Sequence, residues 1–258
     1  MGIINLTPDS FYDGRKSKNH AEILKRAEKM IEEGAAILDL GAVSTRPGAS
    51  YVETDEELRR LLPFLKLLRS TFPEIFISVD TYRSEIALAA SESGADIIND
   101  VYAGNFDGSM INVIAKLKIP YIIMHMQGEP GNMQTDPQYK NVVKEVTAFF
   151  AEKIKALQKK KIKQVIIDPG FGFGKKLEHN FLLLKNLEKL NKLGYPMLAG
   201  VSRKSMINKV LKTSPKNALN GTTALNTIAV LNGAKILRVH DVKEAVEAIK
   251  LSEFYKSI

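Results

Sequence analysis

The sequence contains no cysteine and no tryptophan, and it has only four histidines, which lie far apart along the chain. A chain without cysteine cannot form disulfides, thiolate metal sites or a cysteine nucleophile. No histidine pair has the H-E-x-x-H spacing of a helical zinc site, so a closed zinc centre is not expected either. These absences exclude disulfide scaffolds, zinc ribbons and thiol enzymes.

Long apolar runs are also missing, because no stretch approaches the roughly 18 residues that are needed to cross a bilayer. Met1 is not followed by the basic and then apolar segments that are typical of a secretion signal. The sequence therefore predicts a soluble, cytoplasmic protein with no membrane partner.

Basic residues outnumber acidic ones and give the chain a formal net charge of +8. The lysines are dispersed along helical stretches such as residues 153–163, without the aromatic-interleaved basic pattern that is typical of RNA binding. We interpret these lysines as solvated helix faces that also attract small anions. No nucleic-acid partner is expected.

One local pattern occurs three times, at residues 34–39, 94–99 and 233–238. Each copy follows an amphipathic stretch, begins with Gly-Ala and continues as a short apolar run that ends on a polar residue. Glycine favours the end of a helix because it adopts positive φ without a Cβ clash. The apolar run is typical of a parallel strand that is covered on both faces. The pattern therefore predicts a helix followed by a buried parallel strand.

Similar apolar runs predict further strands at residues 3–5, 75–80, 121–124, 165–168 and 197–200. With the three strands above there are eight, separated mainly by helical patterns. Eight such units in about 250 residues are typical of an α/β fold with a single (β/α)8 TIM barrel. No linker or composition shift divides the chain, so we expect one domain over residues 1–258. A doubly wound open sheet is the alternative, because strand order cannot be read from one sequence.

Nearly every predicted strand ends on a polar or ionisable side chain. These residues are Asn5, Asp39, Asp80, Asn99, His125, Asp168, Ser202 with Lys204, and Arg238 with His240. Catalytic residues of a TIM barrel lie at the carboxyl ends of its strands, so the pattern predicts a polar pocket at the barrel mouth. Carboxylates and an amide can bind the edges of a flat heterocycle. Arg238 and His240 follow the eighth strand, where barrels commonly bind phosphate, and could hold a diphosphate.

Residues 168–176 read DPGFGFGKK and suggest a phosphate-binding loop. The glycines are spaced too closely for the P-loop pattern, and Lys176 stands where that pattern has Ser or Thr. The dinucleotide fingerprint also fails, because the preceding strand ends in Asp-Pro. The nucleotide interpretation is therefore rejected. Magnesium stays compatible with the sequence, because it takes one or two protein oxygens together with substrate phosphate.

Eight short motifs, in one order along nearly the whole chain, resemble those of the dihydropteroate synthase family. They are MGIINLTPDSFYDG at 1–14, STRPGA at 44–49, SVDT at 78–81, IIND at 97–100, MHMQG at 124–128, DPGFGFGK at 168–175, SRKS at 202–205 and RVHDVKE at 238–244. Each motif alone is modest, but eight in the same order are highly specific. The resemblance implies a (β/α)8 barrel, usually a homodimer, that acts in folate biosynthesis.

The family joins 6-hydroxymethyl-7,8-dihydropterin diphosphate to p-aminobenzoate, and this reaction releases diphosphate and forms 7,8-dihydropteroate. The resemblance implies that diphosphate departs first and leaves a cation that the pterin stabilises. Carboxylates such as Asp80 would stabilise this cation. Magnesium (Mg2+), Arg238 and His240 would neutralise the departing diphosphate.

The resemblance also implies roles for the residues that match the family motifs. The implied substrate-binding residues are Asp80, Asn99, Asp168 and Lys204 around the pterin, Thr45, Pro47, Phe173, Lys204 and Ser205 around p-aminobenzoate, Arg238 and His240 around diphosphate, and Met124 with no assigned subsite. Phe11, Asp13 and Arg46 lie in two loops that complete the site in this family. Asn5 is the implied magnesium ligand. The implied catalytic set is Asp80, Lys204, Arg238 and His240.

Two other functions share parts of this pattern. A pterin-binding methyltransferase has the same barrel and the same Asp and Asn residues, but it has no use for the STRPG, SRKS and RVHD motifs. A barrel that only binds pterin is supported by Val43, which stands where the family usually has glutamate. Ala42 and Arg15 likewise replace glycines that are usual in the two loops.

Overall fold

The computed structural model describes residues 1–6, 16–43, 52–129 and 131–258. Its strands are β1 Gly2–Asn5, β2 Ile37–Gly41, β3 Phe76–Asp80, β4 Ile97–Asp100, β5 Tyr121–Met124, β6 Val165–Asp168, β7 Leu198–Ala199 and β8 Ile236–Leu237. Its α-helices are α1 Lys16–Glu32, α2 Thr54–Thr71, α3 Ser84–Glu92, α4 Met110–Leu117, α5 Val142–Lys159, α6 Leu177–Lys185, α7 Ser205–Leu211, α8 Leu219–Leu231 and α9 Val242–Ser257. No helix in these ranges is long and apolar enough to cross a membrane.

Three helices end where the Gly-Ala pattern predicts. Gly34, Gly94 and Gly233 follow α1, α3 and α8, and their φ angles are 97°, 104° and 101°. This left-handed region is accessible to glycine at little steric cost. The next strands, β2, β4 and β8, begin shortly after these glycines. The predicted helix–strand junctions are therefore confirmed.

The strands form a closed ring. β1 to β6 are parallel neighbours in chain order, and β7 pairs in parallel with β8. Ile167 of β6 forms a bridge with Met197, just before β7, and Gly2 of β1 forms a bridge with Val239, just after β8. The amide of Ile3 donates to the carbonyl of Val239 at 2.9 Å. The (β/α)8 barrel is confirmed and the doubly wound sheet is excluded, because an open sheet would leave its edge strands unpaired.

Apolar side chains pack on both sides of this ring. One large cluster joins the strands to the helices and includes Leu38, Phe64 and Phe150. The members of a smaller cluster are Ile97, Ile122 and Leu198, with Met1, Ile37, Ile166 and Ile236 packed against it. Since none of these residues belongs to a helix, the smaller cluster lies inside the barrel.

The inner cluster forms an apolar floor below the barrel mouth. Side chains two residues apart on a strand point to the same face. At that spacing Ile37 is followed by Asp39, Ile97 by Asn99, Ile166 by Asp168 and Ile236 by Arg238. The interior is therefore apolar at one end and polar at the other, which places the polar strand-end residues around a common space.

Candidate active site

The carboxyl ends of β1 to β4 form a row across the barrel mouth. The strand register places Asn5 beside Gly41, Gly41 beside Asp80, and Asp80 beside Asn99. A Cβ added at Gly41 would lie 3.9 Å from both Asn5 Oδ1 and Asp80 Oδ2. The absence of a side chain at Gly41 therefore leaves room for a small ligand atom between two oxygens.

Arg238 joins this row to Asp39. Its Nε donates to Asp39 Oδ2 at 2.6 Å, and its Nη2 donates to Asp80 Oδ2 at 2.8 Å. Asp39 is fully buried and also accepts hydrogen bonds from Ser78 Oγ at 2.6 Å and Asn99 Nδ2 at 3.3 Å. Such partners are required because an uncompensated buried charge is strongly destabilising. One network thus connects the ends of β2, β3, β4 and β8.

Burial and neighbouring charges shift the pKa values in this network. Burial raises the pKa of Asp80 to about 7, although attraction to Arg238 opposes the shift. Burial alone would lower the pKa of Arg238, but Asp39 and Asp80 together raise it above its ordinary value. Arg238 therefore stays cationic, whereas the charge of Asp80 responds to pH near neutrality.

A second charged group lies on the loops that follow β6 and β7. Lys204 Nζ donates to the carbonyl of Phe171 and lies 4.7 Å from the centre of the Phe173 ring, within cation–π range. Asp168 is buried, and its Oδ1 accepts the amide of Gly170 at 2.8 Å. Burial lowers the pKa of Lys204 to about 8, while attraction to Asp168 opposes the shift. The charge of Lys204 is therefore sensitive to pH in this range.

Gly200, just after β7, brings the two groups together. A Cβ added at Gly200 would lie 3.8 Å from Lys204 Nζ and 3.9 Å from Arg238 Cβ. Asp168 attracts both cations and so favours the charged form of each. Asp39, Asp80, Asp168, Lys204 and Arg238 therefore surround one polar space.

His240 is a neutral neighbour of this space. Its Nδ1 lies 2.9 Å from Ser202 Oγ, and the same hydroxyl oxygen accepts the backbone amide of His240 at 3.2 Å. The hydroxyl can donate to Nδ1 or accept from it; we assign it as the donor, which places the ring hydrogen on Nε2. Burial lowers the pKa of His240 to about 4, and repulsion from Arg238 adds to the shift. His240 can consequently donate a hydrogen bond through Nε2 at neutral pH.

The structure places most of the predicted site residues at the barrel mouth. They are Asn5, Asp80, Asn99, Asp168, Phe173, Lys204, Arg238 and His240. Met124 is buried in a cluster with Tyr82 and Val101, against which Phe173 packs. Ser205 is exposed at the first residue of α7. The other predicted residues, Phe11, Asp13, Thr45, Arg46 and Pro47, lie outside the described residues.

Two buried residues of the site are missing from the set that the resemblance implies. Asp39 anchors the Arg238 network, and its position at the end of a predicted strand is the sequence signal that points to it. Lys175 is only 3% exposed, and its Nζ donates to the carbonyl of Phe173 at 3.0 Å. Nothing in the Lys175-Lys176 pair indicates which of the two lysines is buried.

Comparison with known proteins identifies the family. Residues 1–240 match the family of pterin binding enzymes. The chain is 43% identical to dihydropteroate synthase of Escherichia coli strain K12 over 255 residues, which cover 98% of this chain and 90% of that protein. A relative at this identity and coverage shares the fold along its length.

Solved structures give the same result. The chain is similar to Yersinia pestis dihydropteroate synthase with a sulfonamide drug complex, with a TM-score of 0.94, 40% identity, and coverage of 100% of this chain and 94% of that chain. It is also similar to Xanthomonas albilineans dihydropteroate synthase in complex with 7,8-dihydropteroate, with a TM-score of 0.88, 36% identity, and coverage of 100% and 93% respectively. The chain therefore belongs to the dihydropteroate synthase family of pterin-binding enzymes.

Proposed function

We propose that this chain is a transferase that condenses 6-hydroxymethyl-7,8-dihydropterin diphosphate with p-aminobenzoate in folate biosynthesis, giving 7,8-dihydropteroate and diphosphate. The observation that carries the proposal is the polar space in which Asp80 and Asp168 lie close to Arg238 and Lys204. Family membership supports it, because relatives named for this product match nearly the whole chain.

The pterin is bound by carboxylates and by an amide. Asp80 and Asp168 accept hydrogen bonds from its N–H groups, and Lys204 donates to its acceptors. Asn99 Nδ2 donates to Asp39, so the amide oxygen of Asn99 is left to accept from the ring. Met124 belongs to an apolar cluster that suits the face of a flat heterocycle.

The chemistry begins with cleavage of the C–O bond to diphosphate, whose oxygen keeps the electron pair. The cation left on the pterin methylene is stabilised by Asp80 and Asp168, an interaction that strengthens in the transition state. Arg238, held in place by two carboxylates, and His240 Nε2–H donate to the departing diphosphate. The amine of p-aminobenzoate then forms the C–N bond and loses a proton to solvent. No covalent bond to the protein is required.

p-Aminobenzoate binds on the side of Phe173 and Lys204. Its ring packs against Phe173, which already lies beside the Lys204 ammonium. Ser205 is exposed at the start of α7 and can contact the same substrate. The roles of Phe11, Asp13, Thr45, Arg46 and Pro47 rest on the resemblance of their motifs alone.

Magnesium is the proposed cofactor, with Asn5 as its protein ligand. Among the residues that the structure describes, no three His, Asp or Glu side chains form a cluster that could hold a metal ion. Magnesium does not need such a cluster, because it takes one or two protein oxygens together with substrate phosphate and water. The gap at Gly41 gives room beside Asn5 Oδ1. When bound, the ion would neutralise charge on the diphosphate.

A direct assay tests the function. The purified chain is incubated with the dihydropterin diphosphate, radiolabelled p-aminobenzoate and magnesium, and labelled dihydropteroate and released diphosphate are measured. We expect the two products in equal amounts, and we expect that chelation of magnesium abolishes them. In a parallel incubation with a methylated pterin and a corrinoid acceptor, methyl transfer without condensation would indicate a methyltransferase instead. Pterin binding without either reaction would indicate a barrel that only binds.

We also propose a homodimer that buries exposed apolar side chains of the last two helices. These side chains are Ile228 and Leu231 of α8 and Leu251, Phe254 and Tyr255 of α9. Sedimentation should show a dimer for the native chain and a larger monomer fraction for Phe254→Ser. A native monomer would contradict the proposal. The single domain and the cytoplasmic location stay predictions.

A further inference from the structure

Lys175, at the end of the loop that follows β6, holds several groups together inside the protein. Its Nζ lies 3.0 Å from His125 Nδ1, 3.2 Å from the carbonyl of His125, 2.9 Å from the carbonyl of Gly170 and 3.0 Å from the carbonyl of Phe173. We name these groups the Lys175 cluster. A buried ammonium is unfavourable unless its donors are satisfied, and here all the contacts are with neutral acceptors.

We assign the proton of this cluster to Lys175, because burial lowers its pKa only to about 7, which is well above the pKa of about 3 for His125. In its ammonium form Lys175 has only donors, so His125 Nδ1 accepts, and the hydrogen of the neutral ring lies on Nε2. The edge-on contact of His125 with Phe149, with ring centres 5.0 Å apart, keeps the imidazole in an apolar setting. Burial lowers the pKa of His125 to about 3, and repulsion from Lys175 adds to this effect. His125 therefore serves as an acceptor for Lys175.

The loop between Asp168 and Lys175 is pressed against the segment that follows β5. A Cβ added at Gly170 would lie 2.0 Å from the carbonyl oxygen of His125. At Gly174 an added Cβ would lie 2.2 Å from the carbonyl oxygen of Gln127. Both glycines have positive φ, so backbone approaches backbone where no side chain fits. The Lys175 cluster supplies the polar contacts that hold this close approach.

The same loop carries the contacts of Lys204. The carbonyl of Phe171 accepts from Lys204 Nζ, and the ring of Phe173 lies beside the ammonium. The stem of Lys204 also passes close to Gly172, where an added Cβ would lie 3.3 Å from Lys204 Cδ. A shift of the loop would therefore displace both Phe173 and Lys204.

We propose that Lys175 is a positioning residue, which acts through the Lys175 cluster to fix residues 170–174 in the geometry that presents Phe173 and Lys204 to p-aminobenzoate. The kinetic consequence rests on the proposed function, because it assumes that this substrate packs on Phe173. The structural consequence does not, because Lys175 contacts only the loop and His125, and neither contact involves a substrate.

The test compares Lys175→Met with the matched control Lys176→Met. Both substitutions remove one lysine charge from the same loop, but Lys176 is half exposed and pairs with Asp136 at 2.9 Å. In Lys175→Met we expect the KM for p-aminobenzoate to rise by about 10- to 100-fold, as misplacement of a contact residue can cause. The dissociation constant of the pterin substrate should change much less. In Lys176→Met both constants should stay within about twofold of the native values.

A second readout does not depend on catalysis. Because the sequence has no tryptophan, Phe173→Trp places a single reporter on the loop. Its emission maximum should shift when Lys175→Met is added and stay in place when Lys176→Met is added. The ring nitrogens of His125, followed by 15N NMR, should show the Nε2–H tautomer and lose the Nδ1 hydrogen bond in Lys175→Met.

The outcomes separate this proposal from the proposed function. If the native chain makes no dihydropteroate, the proposed function fails, while the tryptophan emission and the histidine spectrum still decide the role of Lys175. A folded Lys175→Met whose KM and emission match those of Lys176→Met would overturn the proposal. If Lys175→Met does not fold, His125→Phe removes the Nδ1 acceptor and takes its place. This variant should shift the KM for p-aminobenzoate and the tryptophan emission in the directions expected for Lys175→Met. The absence of a shift in both would also overturn the proposal.

Discussion

The two sides of the site hold their charges in different ways. On the carboxylate side, Arg238 forms direct ion pairs with Asp39 at 2.6 Å and with Asp80 at 2.8 Å. On the loop side, the ammonium groups of Lys204 and Lys175 are held by backbone carbonyls, an aromatic ring and an imidazole. The first arrangement depends on charge balance, and the second depends on the course of the backbone.

This difference predicts how each side fails. Removal of a charge from the carboxylate side leaves its partner buried and uncompensated, so both folding and catalysis should suffer. Removal of a charge from the loop side breaks no direct ion pair but releases the loop, so catalysis should suffer more than folding. Substitutions on the two sides can therefore be ranked by their effects on activity and on stability.

The largest effect is expected for Arg238→Met. Loss of the guanidinium leaves Asp39 and Asp80 unpaired in the interior, which should lower the free energy of unfolding by about 3–5 kcal/mol. Turnover should become undetectable, because the group that receives the diphosphate is gone. Urea unfolding and the condensation assay measure the two losses. Adding Asp39→Asn should restore part of the stability but none of the turnover.

Arg203→Met is the control for this prediction. Arg203 also pairs with an aspartate, Asp241, at 2.6 Å, but both side chains are partly exposed. Solvent-screened pairs contribute only about 0–1 kcal/mol. Equal losses of stability in Arg238→Met and Arg203→Met would contradict the view that burial of the carboxylates makes the Arg238 network critical.

The next largest effect is expected for Lys204→Ala. Lys204 lies between the two sides. Asp168 and Asp80 attract its charge, and its ammonium lies beside the ring of Phe173. Its loss should weaken binding of the pterin and of p-aminobenzoate together and lower kcat/KM by about 100- to 1000-fold. Stability should fall less than in Arg238→Met, because no direct ion pair is broken and Asp168 keeps its hydrogen bond from Gly170 and the attraction of Arg238. Calorimetry with each substrate checks the binding, and near-normal activity would show that the site is misplaced.

The sequence predicts the carboxylate side better than the loop side. Asp39, Asp80 and Arg238 end apolar runs, and the regular alternation of a barrel strand is enough to place them at the mouth. Their pairing could not be read from the chain, because Arg238 meets Asp39 and Asp80 only when the ring of strands closes. On the loop side the decisive fact is the backbone path through Gly170 and Gly174, which no periodicity encodes.

A smaller effect on the carboxylate side is expected for Gly41→Ala. The added methyl group would lie 3.7 Å from Asp80 Cβ and 3.9 Å from Asn5 Oδ1, which are ordinary contact distances. The fold should therefore tolerate it, and the urea midpoint should stay close to the native value. The methyl group fills the gap where magnesium and diphosphate are proposed to approach Asn5. Turnover should therefore fall by about tenfold, and the magnesium concentration that gives half-maximal activity should rise. Unchanged magnesium dependence would place the ion elsewhere.

The smallest effect concerns two histidines, buried His125 on the loop side and partly buried His240 on the carboxylate side. Burial lowers the pKa of His125 to about 3 and that of His240 to about 4, below the ordinary value of 6.5. Between pH 6.5 and the folded-state pKa values, the unfolded chain binds protons that the folded chain does not. The free energy of unfolding should therefore fall as the pH is lowered through this range.

Asp80 acts in the opposite sense over part of the same range. Its pKa is raised by burial to about 7, so the folded chain takes up a proton that the unfolded chain does not, and this favours folding as the pH falls. The native pH dependence is the sum of both effects, and single variants are needed to separate them. Urea unfolding should show that His125→Gln and His240→Gln each lose less stability than the native chain on acidification. If both variants lose as much stability on acidification as the native chain does, the folded protein already protonates these rings. That result would contradict the acceptor roles of His125 toward Lys175 and of His240 toward Ser202.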